Sequence, residues 1–178
     1  VRLLDAHEVT VDMGEPMFEP ARIPLSAEAR VDRYEILAGD RSVEFGAVSM
    51  GNPHAVVSVA DLADPALEQL GPVLTSHPRF AEGANAGFVL QLDRTRLRLR
   101  VHERGAGWTR ACGTGACAAM AVLHQRGEVG DSVSVELPGG KLRIDWAGPG
   151  HPLWMTGPAA FVFEGEWPVP AVDGDRGG

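Results

Sequence analysis

Apolar and polar positions divide this chain into many short alternating stretches and one long apolar one. Thr95–His102 alternates cleanly, with Leu97, Leu99 and Val101 on one side and Arg96, Arg98 and Arg100 on the other. A period of two sends such residues to opposite faces of a strand. The same reading predicts strands over Val1–Met13, Tyr34–Leu37, Ser42–Ser49, Ala86–Leu92, Leu153–Thr156 and Ala160–Glu164. The continuous apolar run Ala55–Ala60 predicts a buried strand after a turn at Gly51-Asn52-Pro53-His54. Ser132–Leu137 and Lys141–Trp146 flank Pro138-Gly139-Gly140, the clearest hairpin signal in the chain. A short helix is predicted over Asp64–Leu70, capped by Asp64 with Pro65 at its first position.

The stretch from Thr114 breaks this pattern. Ala, Cys, Met, Val and Leu occupy every side up to Gln125-Arg126-Gly127, a basic last turn with glycine just past its end. A helix that is apolar all round belongs inside, and its alanines let strands come close. Many strands around one buried helix give an α+β fold.

Composition narrows the function classes. The chain has 178 residues and is 44% hydrophobic, enough for one domain with a proper core. A formal net charge of -8 argues against nucleic acid and anionic membrane surfaces as partners. No segment is long and apolar enough to span a bilayer, and no signal-peptide pattern opens the chain. Cys112 and Cys117 would face different sides of a helix, so reduced thiols and a cytoplasmic location are expected. The tail from Pro168 to Gly178 reads as frayed.

Chemistry concentrates just before the apolar helix. Glu103-Arg104 ends the alternating strand, and Gly105, Gly107, Gly113 and Gly115 supply turn conformations around Cys112. Cys112 falls at the helix N-terminus, where free N–H groups and the positive dipole end favour a thiolate. The Gly113 and Thr114 amides are placed to hold a carboxylate. Gly51-Asn52-Pro53-His54 and Asn85-Ala86-Gly87-Phe88 add two amides and an imidazole at strand starts. Asparagine and histidine are ordinary turn residues, and a Glu-Arg pair is usually solvated, so each cluster alone says little.

In combination and in this order, G-N-P-H at Gly51–His54, N-A-G-F at Asn85–Phe88 and E-R-G-A-G-W-T-R-A-C-G-T-G at Glu103–Gly115 resemble the C-terminal half of diaminopimelate epimerases. D-M-G-x-P at Asp12–Pro16 and L-P-G-G at Leu137–Gly140 add to the likeness, which covers roughly Val9 to Glu164. Proline racemases, histidine racemases and phenazine-pathway isomerases share that fold but fit these motifs less well. The resemblance implies a mixed sheet or barrel wrapped around a central buried helix. It also implies an epimerase that uses neither pyridoxal phosphate nor a metal, inverting one stereocentre of diaminopimelate for lysine and peptidoglycan precursor synthesis. One cysteine removes the α-proton as thiolate and a second supplies a proton from the opposite face. Cys112 matches the second of these. His54 and Glu103 match residues that tune the thiols and help hold the reacting centre. Asn52, Asn85 and Arg104 match the group gripping the distal end of the substrate, and Gly113 and Thr114 match the amides that bind the reacting carboxylate.

Two departures from the family pattern matter. The family's first catalytic cysteine lies in an N-terminal half without counterpart in this sequence, and Cys117 is on the wrong element to replace it. The family's G-x-G-E-T reads Gly107-Trp108-Thr109, exchanging a carboxylate for an indole that could shift the Cys112 pKa or block closure. The expected organisation is therefore 1–14 bordering the N-terminal half, 15–160 as the C-terminal epimerase domain, and 161–178 as a returning strand and tail. The implied partners are a small-molecule substrate, the N-terminal half and, as an option, a second copy in a homodimer. The isolated chain is expected to be inactive. Alternatives are an epimerase of another amino acid, a Cys112–His54 hydrolase, and a non-catalytic binding half to which Trp108 gives substance.

Overall fold

The structure is a computed structural model describing residues 1–4, 7–39 and 41–168. Its strands are β1 (Arg2–Leu3), β2 (Glu8–Asp12), β3 (Tyr34–Ala38), β4 (Arg41–Ser49), β5 (Pro53–Ser58) and β6 (Asn85–Gln91). β7 (Arg96–Glu103), β8 (Gly107–Thr109), β9 (Ser132–Leu137), β10 (Gly140–Asp145) and β11 (Trp154–Pro158) follow. The helices are α1 (Ala66–Thr75) and α2 (Gly113–Gln125). The strands form one sheet in the order β1-β2-β11-β10-β9-β7-β6-β5-β4-β3, with β8 folded back onto β7. β5–β6 and β7–β9 are parallel and the other pairs antiparallel, so the sheet is mixed and the fold α+β. β1 and β3 stand at opposite ends of the path, so the expected sheet is present but is open rather than a barrel.

α2 is the core of one face. Residues Gly115 through Leu123 are all buried, and the helix packs against β4, β5, β6, β7 and β10. Val48, Val56, Val89, Leu99, Val101, Val135 and Ile144 close around it. The other face carries α1, with Phe45, Ala55, Val57, Leu67, Leu74 and Phe88 in a second cluster. β4 to β6 are therefore covered on both sides, which is why Ala55-Val56-Val57 reads as a continuous apolar run rather than an alternating one. Leu123 is fully enclosed, so Leu123→Ala is expected to cost about 2–5 kcal/mol, read as a lower urea midpoint with unchanged slope.

Several boundaries differ from the sequence expectation. Pro53 and His54 already belong to β5, because His54 pairs with both Val48 and Asn85. Asp64 does accept from the Ala66 amide at 2.9 Å, but α1 runs on past Gly71 and Pro72 to Thr75. The buried Leu70 and Leu74 extend its apolar stripe and outweigh the missing Pro72 N–H. The predicted strand over Val1–Met13 is two strands, and β2 pairs with β11 of this chain. Ala160–Glu164 forms no strand; Phe161, Val162, Phe163 and Trp167 are exposed. Most of the predicted tail, residues 169–178, lies outside the described residues. No helix among the described residues is long and apolar enough to cross a membrane.

Candidate active site

Strand alternation brings the scattered polar residues together. On β5, Val56 faces α2, so His54, two positions earlier, does as well. On β6 the α2 face carries Val89 and hence Asn85; on β7 it carries Val101 and hence Glu103. His54 and Asn85 begin parallel neighbours and are in register, while Glu103 ends the antiparallel β7 beside them. All three meet at one end of the sheet, where Cys112 forms the N-cap of α2 in an extended conformation.

A chain of contacts links them. His54 Nε2 lies 3.0 Å from Asn52 Oδ1, which fixes the imidazole N–H as donor. The Asn52 amide donates to Thr114 Oγ1 at 3.5 Å, and that hydroxyl lies 3.6 Å from Cys112 Sγ. His54 thus reaches the thiol through two side chains, not directly. The Asn85 carbonyl oxygen accepts from the Arg104 amide at 3.0 Å, leaving its own NH₂ group for other partners. Arg104 is exposed, and its guanidinium donates to the Glu82 carbonyl. Asn52, His54, Thr114 and Cys112 form one connected group, while Asn85 and Arg104 form a second at the adjacent strand ends.

The glycines divide by role. Gly105 and Gly107 take left-handed φ values of 79° and 77° in the β7–β8 turn, as expected. Gly113 and Gly115 do not; they are helical and serve close packing. A Cβ at Gly115 would sit 3.2 Å from Cys112 Sγ and 3.0 Å from Val101, a tight fit in which glycine gives the thiol room.

Electrostatics correct one expectation. Burial pushes the Cys112 thiol pKa up, and the Glu103 carboxylate adds to the rise. Hydrogen bonds from Thr114 and the Gly115 amide oppose it without reversing it. At neutral pH Cys112 is therefore a thiol rather than the thiolate the helix terminus alone would favour, because desolvation outweighs the N-terminal donors. Cys117, wholly enclosed in α2, is pushed up to about 12. Limited alkylation at pH 8 is expected to label Cys112 first; equal labelling of Cys117 would count against Cys112 as the reactive thiol. Burial pulls the His54 pKa down to about 4, and its Nδ1 is buried without a hydrogen-bond partner among the described residues.

Trp108 lies on the other side of the sheet. It pairs with His102, and its ring contacts Phe88 at 5.6 Å and His102 at 5.3 Å between centroids. The Arg100 guanidinium sits 4.2 Å over it. The indole packs against the α1-side core, away from Cys112. Among the described residues no cluster of three or more His, Cys, Asp or Glu could hold a metal ion.

The diaminopimelate epimerase family model matches residues 46–162, which include every residue of this site. The chain belongs to the diaminopimelate epimerase family. Two crystal structures share the fold of this family member. One is a hydroxyproline epimerase from Agrobacterium vitis with bound trans-4-hydroxy-L-proline, at 19% identity and a TM-score of 0.63, covering 89% of this chain and 52% of that one. The other is a probable proline racemase from Agrobacterium radiobacter K84 with bound carbonate, at 20% identity and a TM-score of 0.60, covering 94% and 55%. The chain spans about half the length of either structure.

Two features of the site escaped the sequence reading. Thr114 contributes its hydroxyl as well as its amide, linking Cys112 to Asn52. Met155 of β11 lies against Gly113, its Sδ only 3.0 Å from where a Cβ would be. Nothing in the local pattern marks Met155, since its role comes from strand pairing across the sheet.

Proposed function

We propose that this chain supplies the C-terminal half of a cofactor-independent diaminopimelate epimerase, with Cys112 as one of its two acid–base thiols. The observation that carries this reading is the convergence of Asn52, His54, Asn85, Glu103 and Cys112 at the N-terminal end of α2. A cysteine thiolate on the other half removes the α-proton, and the bonding electron pair passes to the α-carbon and its carboxylate. The Gly113 and Thr114 amides stabilise that charge. Cys112 S–H delivers its proton to the opposite face of the carbon and becomes the thiolate, which Thr114 and the Gly115 amide stabilise. The configuration is inverted, with no net oxidation or proton loss, and the reverse reaction exchanges the two roles.

The raised Cys112 pKa supports this division, because a thiol held protonated by burial and by Glu103 is an acid at neutral pH. Asn85 at the start of β6 and Arg104 just after β7 carry an amide and a guanidinium of the kind suited to the distal amino acid group of diaminopimelate. Proline and hydroxyproline lack such a group and would make no use of these two side chains. The exposed Phe161, Val162, Phe163 and Trp167 agree with an unfilled contact surface for the N-terminal half.

The test combines the chain with a separately produced N-terminal half and offers diaminopimelate, proline and trans-4-hydroxyproline in turn. Inversion of diaminopimelate alone is expected. Preferential turnover of either cyclic amino acid would displace the proposal in favour of an epimerase of another substrate.

A further inference from the structure

The L-P-G-G stretch at Leu137–Gly140 has no place in the proposed chemistry, yet it meets the segment leading to Cys112. The Gly139 amide donates to the Arg110 carbonyl at 2.7 Å, a bond between the β9–β10 turn and the residue two before the cysteine. A Cβ on Gly139 would lie 2.8 Å from that same oxygen and 3.3 Å from the Ala111 Cβ. Gly139 is not among the glycines with a positive φ, so its need for glycine comes from close approach rather than turn shape. The obstruction is backbone, which cannot swing aside as a side chain would. From the next strand but one, Met155 rests its thioether on Gly113, the residue after the cysteine. The β9–β10–β11 section of the sheet therefore holds the chain on both sides of Cys112.

We infer that the Pro138–Gly139 turn is a positioning element for Cys112, clasping Arg110 and Ala111 so that the thiol stays in its sheltered N-cap place against Gly115. The inference rests on Cys112 being the reacting thiol, as proposed above. Gly139 touches neither thiol nor substrate and acts through the backbone of Arg110. With the clasp loosened, the segment moves outward and Cys112 gains access to water. Its apparent pKa then falls toward the ordinary thiol range, because burial is the largest cause of its elevation.

The experiment measures the alkylation rate of Cys112 by peptide mapping from pH 6.5 to 10, in the unmodified chain, Gly139→Ala and Gly130→Ala. Gly130 is the control, since a Cβ there meets nothing closer than an ordinary 3.8 Å contact. Gly139→Ala is expected to raise the rate at pH 8 about five-fold and to lower the apparent pKa, roughly half a unit or more. Gly130→Ala should match the unmodified chain. A Gly139→Ala chain that loses thermal stability but keeps the Cys112 pH profile would mark the turn as merely structural and overturn the inference. If Gly139→Ala does not fold, Met155→Ala and hydrogen exchange of the Gly139 amide decide. Faster Cys112 labelling with a protected amide supports the clasp, and unchanged labelling or an amide exchanging like an open loop overturns it. Failure of Cys112 to label ahead of Cys117 in the unmodified chain would instead remove the functional reading, and this inference with it.

Discussion

Replacing Cys112 by alanine in the chain, combined with its N-terminal half, is expected to reduce inversion of diaminopimelate by about a hundred- to ten-thousand-fold. A positioned acid or base contributes roughly 10²–10⁴ in rate, and here no neighbouring group can take over. Glu103 is close enough to act on the thiol but raises its pKa, which places it as a modulator on the same side of the site. His54 is linked to Cys112 through the side chains of Asn52 and Thr114. Cys117 faces the closed core, with its pKa pushed up to about 12. Steady-state rates for Cys112→Ala, set beside Cys117→Ala as a control, check this. Cys117→Ala should stay within a few-fold of the unmodified chain, apart from a modest loss of stability. Comparable losses from both would show that α2 packing, not thiol chemistry, governs the rate.

The second large effect is on acid stability and belongs to His54. Its folded pKa lies near 4 against an ordinary value of 6.5, and burial is the cause. Between those values the unfolded chain binds a proton that the folded chain refuses, so stability falls with pH over that window. The contribution is intact above about pH 6.5 and lost by pH 4, a change of roughly 3 kcal/mol. His54→Gln keeps a polar side chain but cannot titrate. Urea unfolding at several pH values from 7.5 to 4 should therefore show a steeper decline for the unmodified chain, by about that amount at the acid end. Carboxylate titrations affect both chains and cancel in the comparison. Parallel declines would mean that His54 accepts its proton without leaving the fold, and so is not sealed in as described.

These two residues also show what the sequence made readable and what it did not. The period-two pattern of Leu97, Leu99 and Val101 located β7, and the all-apolar run after Thr114 located α2, because both signals are local and repeat over several residues. Convergence of Asn52, His54, Asn85 and Glu103 was legible only through motif resemblance, since nothing local says that β5 and β6 pair in parallel with His54 beside Asn85. β8 was missed because three residues are too few for a period. The direction of the Cys112 shift was misread for a different reason. A helix N-terminus can be seen in sequence, but the desolvation that outweighs it depends on neighbours from distant strands. Trp108 was likewise read from its nearness to Cys112 along the chain, whereas the β7–β8 pairing turns its ring to the opposite face.

Two-sided proton transfer remains the central claim, and solvent-deuterium incorporation at the α-carbon of diaminopimelate tests it most directly. The purified chain is assayed alone and then with the N-terminal half, following isotope content and stereoisomer composition together. Alone, Cys112 can serve one face only, and the other face of the substrate is left to water, which weakens the charge interactions stabilising the carbanion. No inversion is expected in that arm, and turnover with deuterium uptake should appear once the second half is added. Inversion by the chain alone at about one turnover per second or faster would contradict the account, because a second acid–base group would then have to lie within these residues.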